Sequence, residues 1–222
     1  MPNGPNLIDF SVKPEEYYIQ PRLEMLDFIP KTVNKILDVG CSSGLFGALL
    51  KRDLKAEVWG VEFDASVGAL AKEKLDKVLV GDVCQLVDDL PNKYFDCVVF
   101  NDVLEHLADP FTLLLKIKEK LALRGVVVCS IPNVRYFYTL RDILIKKQWK
   151  YEDNGILDKT HLRFFTQKSI IDMFNTLDYK ILKMEGINEI GFSWKFTLLN
   201  TLFLGNLSDT KYVQFACVVE PK

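Results

Sequence analysis

Short runs of branched and aromatic residues alternate along this chain with stretches whose apolar residues return every three or four positions. Ile36, Leu37 and Val39 form the first run, and Glu57–Glu62, Lys77–Asp82, Tyr94–Phe100 and Gly125–Ile131 follow it. Each reads as a short strand, and the nearly unbroken apolar character of Tyr94–Phe100 suits a sheet covered on both faces. Helical patterning falls between them, from about Ser43, over Ala65–Leu75, and from Pro110 onward. The last is well marked, with Asp109 as N-cap, Pro110 at N1 and a stripe through Leu114, Ile117 and Leu121. Strands alternating with helices predict right-handed crossovers and a parallel sheet, an α/β fold.

The flanks continue the pattern. Met1–Val12, rich in Pro, Gly and Asn, is expected to wrap loosely. Pro14–Ile29 has a helical period with Tyr18, Leu23, Leu26 and Ile29 on its buried side, and Pro30 ends it. Tyr17, Tyr18 and Arg22 are its candidates for function, against the plainer reading of an aromatic-anchored cover helix. After the fifth strand, Val134–Asn154 reads as a basic, aromatic-interleaved helix, Lys168–Leu177 as a helix and Tyr179–Met184 as a strand. Gly191–Leu204 is apolar and helix-like, and Tyr212–Glu220 reads as the last strand.

The first strand runs through a tight turn straight into a helix, over Lys35–Leu50. Gly40 and Gly44 bracket that turn, where glycine permits positive φ and lets a ligand approach the backbone. A dinucleotide fold places G-x-G-x-x-G here, with pyrophosphate on the helix N-terminus. This chain has Gly40-Cys41-Ser42-Ser43-Gly44, with Ser42 where the middle glycine would stand. Asp38, two residues before Gly40, would repel pyrophosphate and suits an ammonium group. Glu62, at the end of the second strand, stands about twenty residues past the turn, the offset at which an acid can hold ribose hydroxyls. Asp64 supplies an N-cap for the next helix, which leaves Glu62 without a structural role. Phe63 can lie against an adenine ring, and Asp82 either accepts from an adenine amino group or caps a helix.

Composition adds limits. The 222 residues, 49% hydrophobic and 26% charged, suffice for one domain with a full core and show no disorder signature. A net charge of −2 gives no reason to expect a nucleic-acid partner. The five cysteines are scattered without a C-x-x-C pair, so buried free thiols and a cytoplasmic setting are expected. No charged-then-apolar leader opens the sequence, and Phe196–Leu204 is too short to span a membrane.

The ordered set Ile36–Gly44, Gly60-Val-Glu62, Gly81-Asp82, Phe95-Asp96 through Asn101-Asp-Val-Leu-Glu-His106, and Ser130-Ile-Pro-Asn133 resembles the motif series of the class I S-adenosylmethionine-dependent methyltransferases. The Asp102–Pro110 run is similar to the ubiquinone-biosynthesis-type (methyltransferase 23-like) branch. Thr160–Thr166 (THLRFFT) resembles a signature of methyltransferases acting on polysaccharide or lipid precursors. Ser42 departs from the glycine more usual in the family. The resemblance covers roughly residues 17 to 187. It implies a Rossmann-like, doubly wound, seven-stranded and mostly parallel sheet with an antiparallel last strand. It also implies one domain over 1–222, with a cover helix in 1–34, a cofactor-binding core in 35–133 and an acceptor cap from 134–165 and 186–210.

The resemblance likewise implies S-adenosyl-L-methionine as cofactor. Asp38 and the turn residues Gly40, Cys41, Ser42 and Gly44 would take its methionine part, Glu62 its ribose with Phe63 beside the adenine, Asp82 and Val83 the adenine edge, and Asn101 the region of the sulfonium. Arg22 would meet the cofactor carboxylate. The acceptor is expected to be oxygen on a small molecule, a sugar or a lipid-linked precursor.

His106 and His161 are the only histidines, and both lie in motif runs. His106 is a candidate base, its ordinary pKa lying near neutrality. Two other readings stay open: Asp102 and Glu105 form a capping box with His106 merely next in line, or Asp102, Glu105 and His106 at i, i+3, i+4 gather a divalent metal. His161 either acts as base or acceptor clamp or orders its loop. The apolar piece near the C-terminus is a lid, a contact between two copies in a homodimer, or a foot on a membrane surface. An NAD-dependent enzyme and a non-catalytic cofactor-binding partner subunit are the rival functions.

Overall fold

The computed structural model describes residues 21–191 and 194–222. The expected helix over Pro14–Ile29 therefore lies partly outside the described residues, with Tyr17 and Tyr18. Within them, Leu23–Phe28 is a 3-10 helix that buries Met25 and Phe28.

Seven strands form one sheet: β1 (Lys35–Val39), β2 (Glu57–Glu62), β3 (Lys77–Val80), β4 (Phe95–Asn101), β5 (Leu121–Pro132), β6 (Tyr179–Glu189) and β7 (Tyr212–Pro221). Their order is β3-β2-β1-β4-β5-β7-β6. The first five pair in parallel, and β7 runs antiparallel between β5 and β6. The strand order reverses between β1 and β4, which opens a crevice at their carboxyl ends where ligands of such sheets bind. Val39 and Asn101 end the two strands that flank it.

Side-chain alternation divides the core between the two faces. On one face Ile36, Val58, Cys97 and Val99 pack with α1 (Leu45–Leu54) and α2 (Ala65–Lys72) through Phe46, Leu50 and Ala71. On the other, Leu37, Val98, Phe100 and Cys129 pack with α3 (Val83–Leu86), α4 (Pro110–Lys120) and α6 (Gln167–Thr176) through Val83, Leu114 and Phe174. Asp109 caps α4 by accepting from Phe111 and Thr112, and Thr166 and Ser169 form a capping box on α6.

Several expectations change, among them the fifth strand, which begins at Leu121 and not at Gly125. The basic helix over Val134–Asn154 shrinks to α5 (Phe137–Leu144), because Lys147 turns left-handed at φ 53° and the Gln148 N–H closes back on the Asp142 carbonyl at 3.1 Å. The strand after α6 runs five residues further than Met184, to Glu189, pairing along β7 with an irregularity between Ile181 and Lys183. Four cysteines are buried, but Cys84 on α3 is exposed. The apolar C-terminal piece includes α7 (Trp194–Leu202), whose Trp194, Leu198 and Leu202 are exposed. Among the described residues no helix is long and apolar enough to cross a membrane.

Candidate functional site

The turn after β1 uses its own N–H groups. Gly40 and Cys41 donate to the Val61 carbonyl at 2.8 and 3.1 Å, Gly44 donates to the Cys41 carbonyl, and Ser42 donates to Glu62 Oε2 at 2.8 Å. Such a turn leaves little of the backbone nest that holds a pyrophosphate. Gly40 and Gly44 have φ of 70° and 78°, and Ser42 takes φ 51°. Ser42 thus occupies a conformation glycine adopts more easily, which accounts for the family's usual residue there. A Cβ on Gly40 would stand 2.6 Å from Val103 Cγ2, so this glycine also serves a close packing contact.

Around the turn stand the predicted acids. Asp38 is 2% exposed, its Oδ2 has no hydrogen-bond partner, and burial with the nearby Glu62 charge raises its pKa to about 7. A buried carboxyl left in this state is satisfied by a cation, and an ammonium group fits its chemistry. Glu62 has a structural role after all: besides Ser42 it accepts the Asp64 N–H at 3.0 Å. Asp64 caps α2 as expected. Phe63, beside Glu62, is 76% exposed, a large aromatic face left uncovered. Asp82 caps α3 by accepting from Cys84 at 2.8 Å, and Val83 is buried behind it. Asn101, at the tip of β4, buries both side-chain polar atoms without a hydrogen-bond partner. Unpaired buried amides are rare, and this one lies at the crevice.

Arg22 and Asp102 meet in a place the sequence did not suggest. The Arg22 guanidinium pairs with Asp102 and also reaches Ser130 Oγ at 3.2 Å and Gln214 Oε1 at 3.1 Å. Asp102 Oδ1 in turn accepts from Ser130 at 2.8 Å and Gln214 at 2.6 Å. Asp102 has φ 54° and caps nothing; the following turn, Leu104–His106, is a 3-10 helix without a side-chain cap. The capping-box reading therefore fails. So does Asp102 as a member of a metal group, because its carboxylate is committed to this network.

The metal-competent group is instead Glu105, His106 and His161, whose ligand atoms lie within 4.8 Å of one another. The loop after β5 brings His161 to His106, ring centroids 4.6 Å apart and planes at 74°. Backbone ties hold the loop there: Leu162 and Arg163 both donate to the Glu105 carbonyl, at 2.8 and 3.0 Å. Glu105 is 1% exposed, its carboxyl oxygens lack a hydrogen bond, and burial raises its pKa to about 8. His161 Nε2 stands 3.9 Å from Glu105 Oε1. A cavity of about 80 Å³ lies beside this cluster, lined also by Asp158 and Gln214. Two imidazoles and a carboxyl can relay a proton or bind a divalent cation of the zinc and iron class.

Sequence reasoning missed Ser130, Gln214, Asp158, Thr160 and Val103. Gln214 carried a signal, being a polar residue inside an apolar strand, and Thr160 belongs to the THLRFFT run. Val103 and Ser130 also stand inside motif runs, but nothing local marks Asp158, and the roles of all three depend on elements distant in the chain.

A family model for the methyltransferase domain matches residues 13–184. A ubiquinone biosynthesis O-methyltransferase of Cereibacter sphaeroides is 28% identical over 174 residues, 72% of this chain and 66% of that protein. The enzyme of the same name from Bradyrhizobium diazoefficiens is 34% identical over 102 residues, 45% of this chain and 40% of that protein. The chain thus spans less than two thirds of the length of either relative. Among solved structures, a SAM-dependent methyltransferase from Archaeoglobus fulgidus superposes with a TM-score of 0.69 at 21% identity, covering 92% of this chain and 96% of that one. One from Mesorhizobium loti gives 0.59 at 17% identity, covering 88% and 95%. With its sheet order, its glycine turn and these matches, the chain belongs to the methyltransferase-domain family, on the class I S-adenosylmethionine-dependent fold.

Proposed function

We propose that this protein is a cytoplasmic methyltransferase that uses S-adenosyl-L-methionine and methylates a hydroxyl oxygen on a small molecule, a sugar or a lipid-linked precursor. When bound, the cofactor supplies a methyl group on a sulfonium, an electrophile already activated by its leaving group. The protein's own work is then placement and removal of one proton. Asp38 receives the ammonium end, Glu62 and Phe63 the nucleoside, and Asn101 the edge nearest the sulfonium. Residues 134–165 and 186–210 cover the acceptor.

The observation that carries an oxygen acceptor is the pairing of His106 with His161 beside buried Glu105, just past Asn101 at the end of β4. A hydroxyl must lose its proton as it is alkylated, and a neutral imidazole is suited to take it near neutral pH. The names of the two ubiquinone biosynthesis relatives, both O-methyltransferases, favour the same acceptor atom. A second reading, a divalent cation held by Glu105, His106 and His161 to orient the hydroxyl, is favoured by the compactness of that ligand set.

The experiment has two arms. S-adenosylhomocysteine should raise the melting temperature and NAD should not; a ligand at a hundred times its Kd stabilises by about 2.7 kcal/mol. Labelled cofactor incubated with fractionated metabolites of the source organism should then mark an acceptor, and the product should carry a methyl ether or ester. Stabilisation without transfer to any fraction would favour the non-catalytic partner subunit. A product methylated on nitrogen or carbon would refute the oxygen assignment.

A further inference from the structure

The loop that delivers His161 also settles where the proton sits on His106. His106 Nδ1 lies 3.2 Å from the Thr160 carbonyl oxygen and 3.0 Å from Thr160 Oγ1. A carbonyl only accepts, so the first contact requires a proton on Nδ1. The second agrees, because Thr160 spends its single hydroxyl proton on Asp158 Oδ1 at 2.8 Å. Asp158 is itself fixed, accepting the Thr160 N–H on the same oxygen at 2.8 Å, and is 2% exposed. The Thr160 hydroxyl thus points its proton at Asp158 and its lone pair at His106. His161 obeys the same rule independently, with Nδ1 3.0 Å from the Ile156 carbonyl.

We infer that Asp158 and Thr160 are positioning residues that fix His106 as the Nδ1–H tautomer and thereby keep the basic lone pair on Nε2. The role in turnover rests on the reading of His106 as the proton acceptor; the tautomer does not. Free histidine favours the opposite neutral form, so the imposed one is diagnostic. The arrangement resembles in logic the carboxylate that orients an imidazole in hydrolytic triads, with a hydroxyl interposed. As Nε2 takes the acceptor proton, the imidazolium keeps Nδ1–H on Thr160, and no second proton needs to move.

The test is nitrogen NMR of histidine-labelled full-length protein, with and without S-adenosylhomocysteine, in chelator-treated buffer. Two histidines make two pairs of ring signals. In the wild type His106 should show a protonated Nδ1 and an unprotonated Nε2. Thr160→Val removes the hydroxyl acceptor and keeps the backbone carbonyl, so it should move the His106 population measurably but incompletely toward Nε2–H, leave His161 unchanged as an internal control, and preserve binding of S-adenosylhomocysteine. On the acceptor fraction turned over by the wild type, its kcat should fall severalfold, in proportion to the fraction of His106 shifted, with KM unchanged. Thr160→Ser should restore both. A wild-type His106 protonated on Nε2 would overturn the assignment without recourse to any variant. Thr160→Val with unaltered tautomer and unaltered kcat would overturn the positioning role. Full turnover by His106→Ala with the tautomer as assigned would instead remove the base reading alone.

Discussion

Glu62 accepts the Ser42 N–H at 2.8 Å, so the tip of β2 is tied to the glycine turn that follows β1. Its other oxygen takes the Asp64 N–H at 3.0 Å, which also anchors the start of α2. One buried carboxylate thereby sets the spacing between the floor of the crevice and the strand end proposed to hold the ribose.

Glu62→Gln keeps one accepting oxygen and loses the other. Leaving a buried N–H unpaired costs about 1–3 kcal/mol, which for a chain of this size lowers the melting temperature by roughly 2–10 °C. Binding of S-adenosylhomocysteine should weaken tenfold or more, measured by calorimetry below the transition. A variant of full stability and full affinity would separate Glu62 from both tasks.

Asp38 gives a pH signature. Its carboxyl titrates at about 7 in the folded chain against 3.8 for the ordinary group. Between those values the folded state holds a proton that the unfolded state has released. Stability contributed by this group therefore falls as pH rises from about 4 to about 7, and is level above that window. Asp38→Asn removes the penalty and should raise the melting temperature at pH 8, by an amount of order 2 kcal/mol or about 5 °C, with no gain at pH 4. The same variant should lose S-adenosylhomocysteine binding, since an amide does not neutralise an ammonium. Glu105, raised to about 8 by its own burial, slopes the same way, so the pH dependence of the variant flattens without vanishing.

How far the sequence reaches can be read from these residues. The first strand, the glycine turn and the α4 cap are local statements: strand, bend and helix signals within a few residues specify them, and they stand as expected. Glu62 stands at its strand end but also anchors the turn and α2, a role its own segment does not announce. Asp102 shows the limit. Its spacing to Glu105 and His106 suggests a cap or a metal face, yet the decisive partners are Arg22, Ser130 and Gln214, from three other segments. The two histidines illustrate the same thing in the favourable direction. Both lie in motif runs, but only the folding of the 133–165 loop back over Leu104–His106 puts their rings in contact. The α5 helix fails for a different reason: alternating basic and aromatic residues mark a polar surface in any backbone, and nothing in the spacing announces the left-handed Lys147.

Phe63 offers a separation of stability from binding. At 76% exposure it packs against little, so Phe63→Ala should change the melting free energy by no more than about 0.5 kcal/mol. Stacking of a base on an aromatic ring is worth about 1–3 kcal/mol. The dissociation constant for S-adenosylhomocysteine should then rise roughly tenfold, while that for homocysteine-containing fragments without adenine stays constant. Equal affinities for the whole ligand would mean that the adenine lies elsewhere.

The histidine pair bears the heaviest part of the chemical reading and can be tested one ring at a time. His106 is tethered through Nδ1 to Thr160, and His161 through Nδ1 to the Ile156 carbonyl, so each keeps its lone pair on Nε2. The His161 Nε2 faces Glu105 at 3.9 Å, whereas the His106 ring stands edge to face with it. If one imidazole removes the acceptor proton, His106→Ala or His161→Ala should lower kcat by about 10²–10⁴-fold and leave S-adenosylhomocysteine affinity within about twofold. A metal-dependent site predicts a different pattern: both substitutions, and Glu105→Gln, would lose activity that chelation also removes and a divalent cation restores. His161→Ala should in addition loosen the 155–165 loop, seen as faster amide exchange at Leu162 and Arg163, whose N–H groups rest on the Glu105 carbonyl. Full activity in both alanine variants would place the proton acceptor outside this pair, and the crevice would then serve a nucleophile that needs no base.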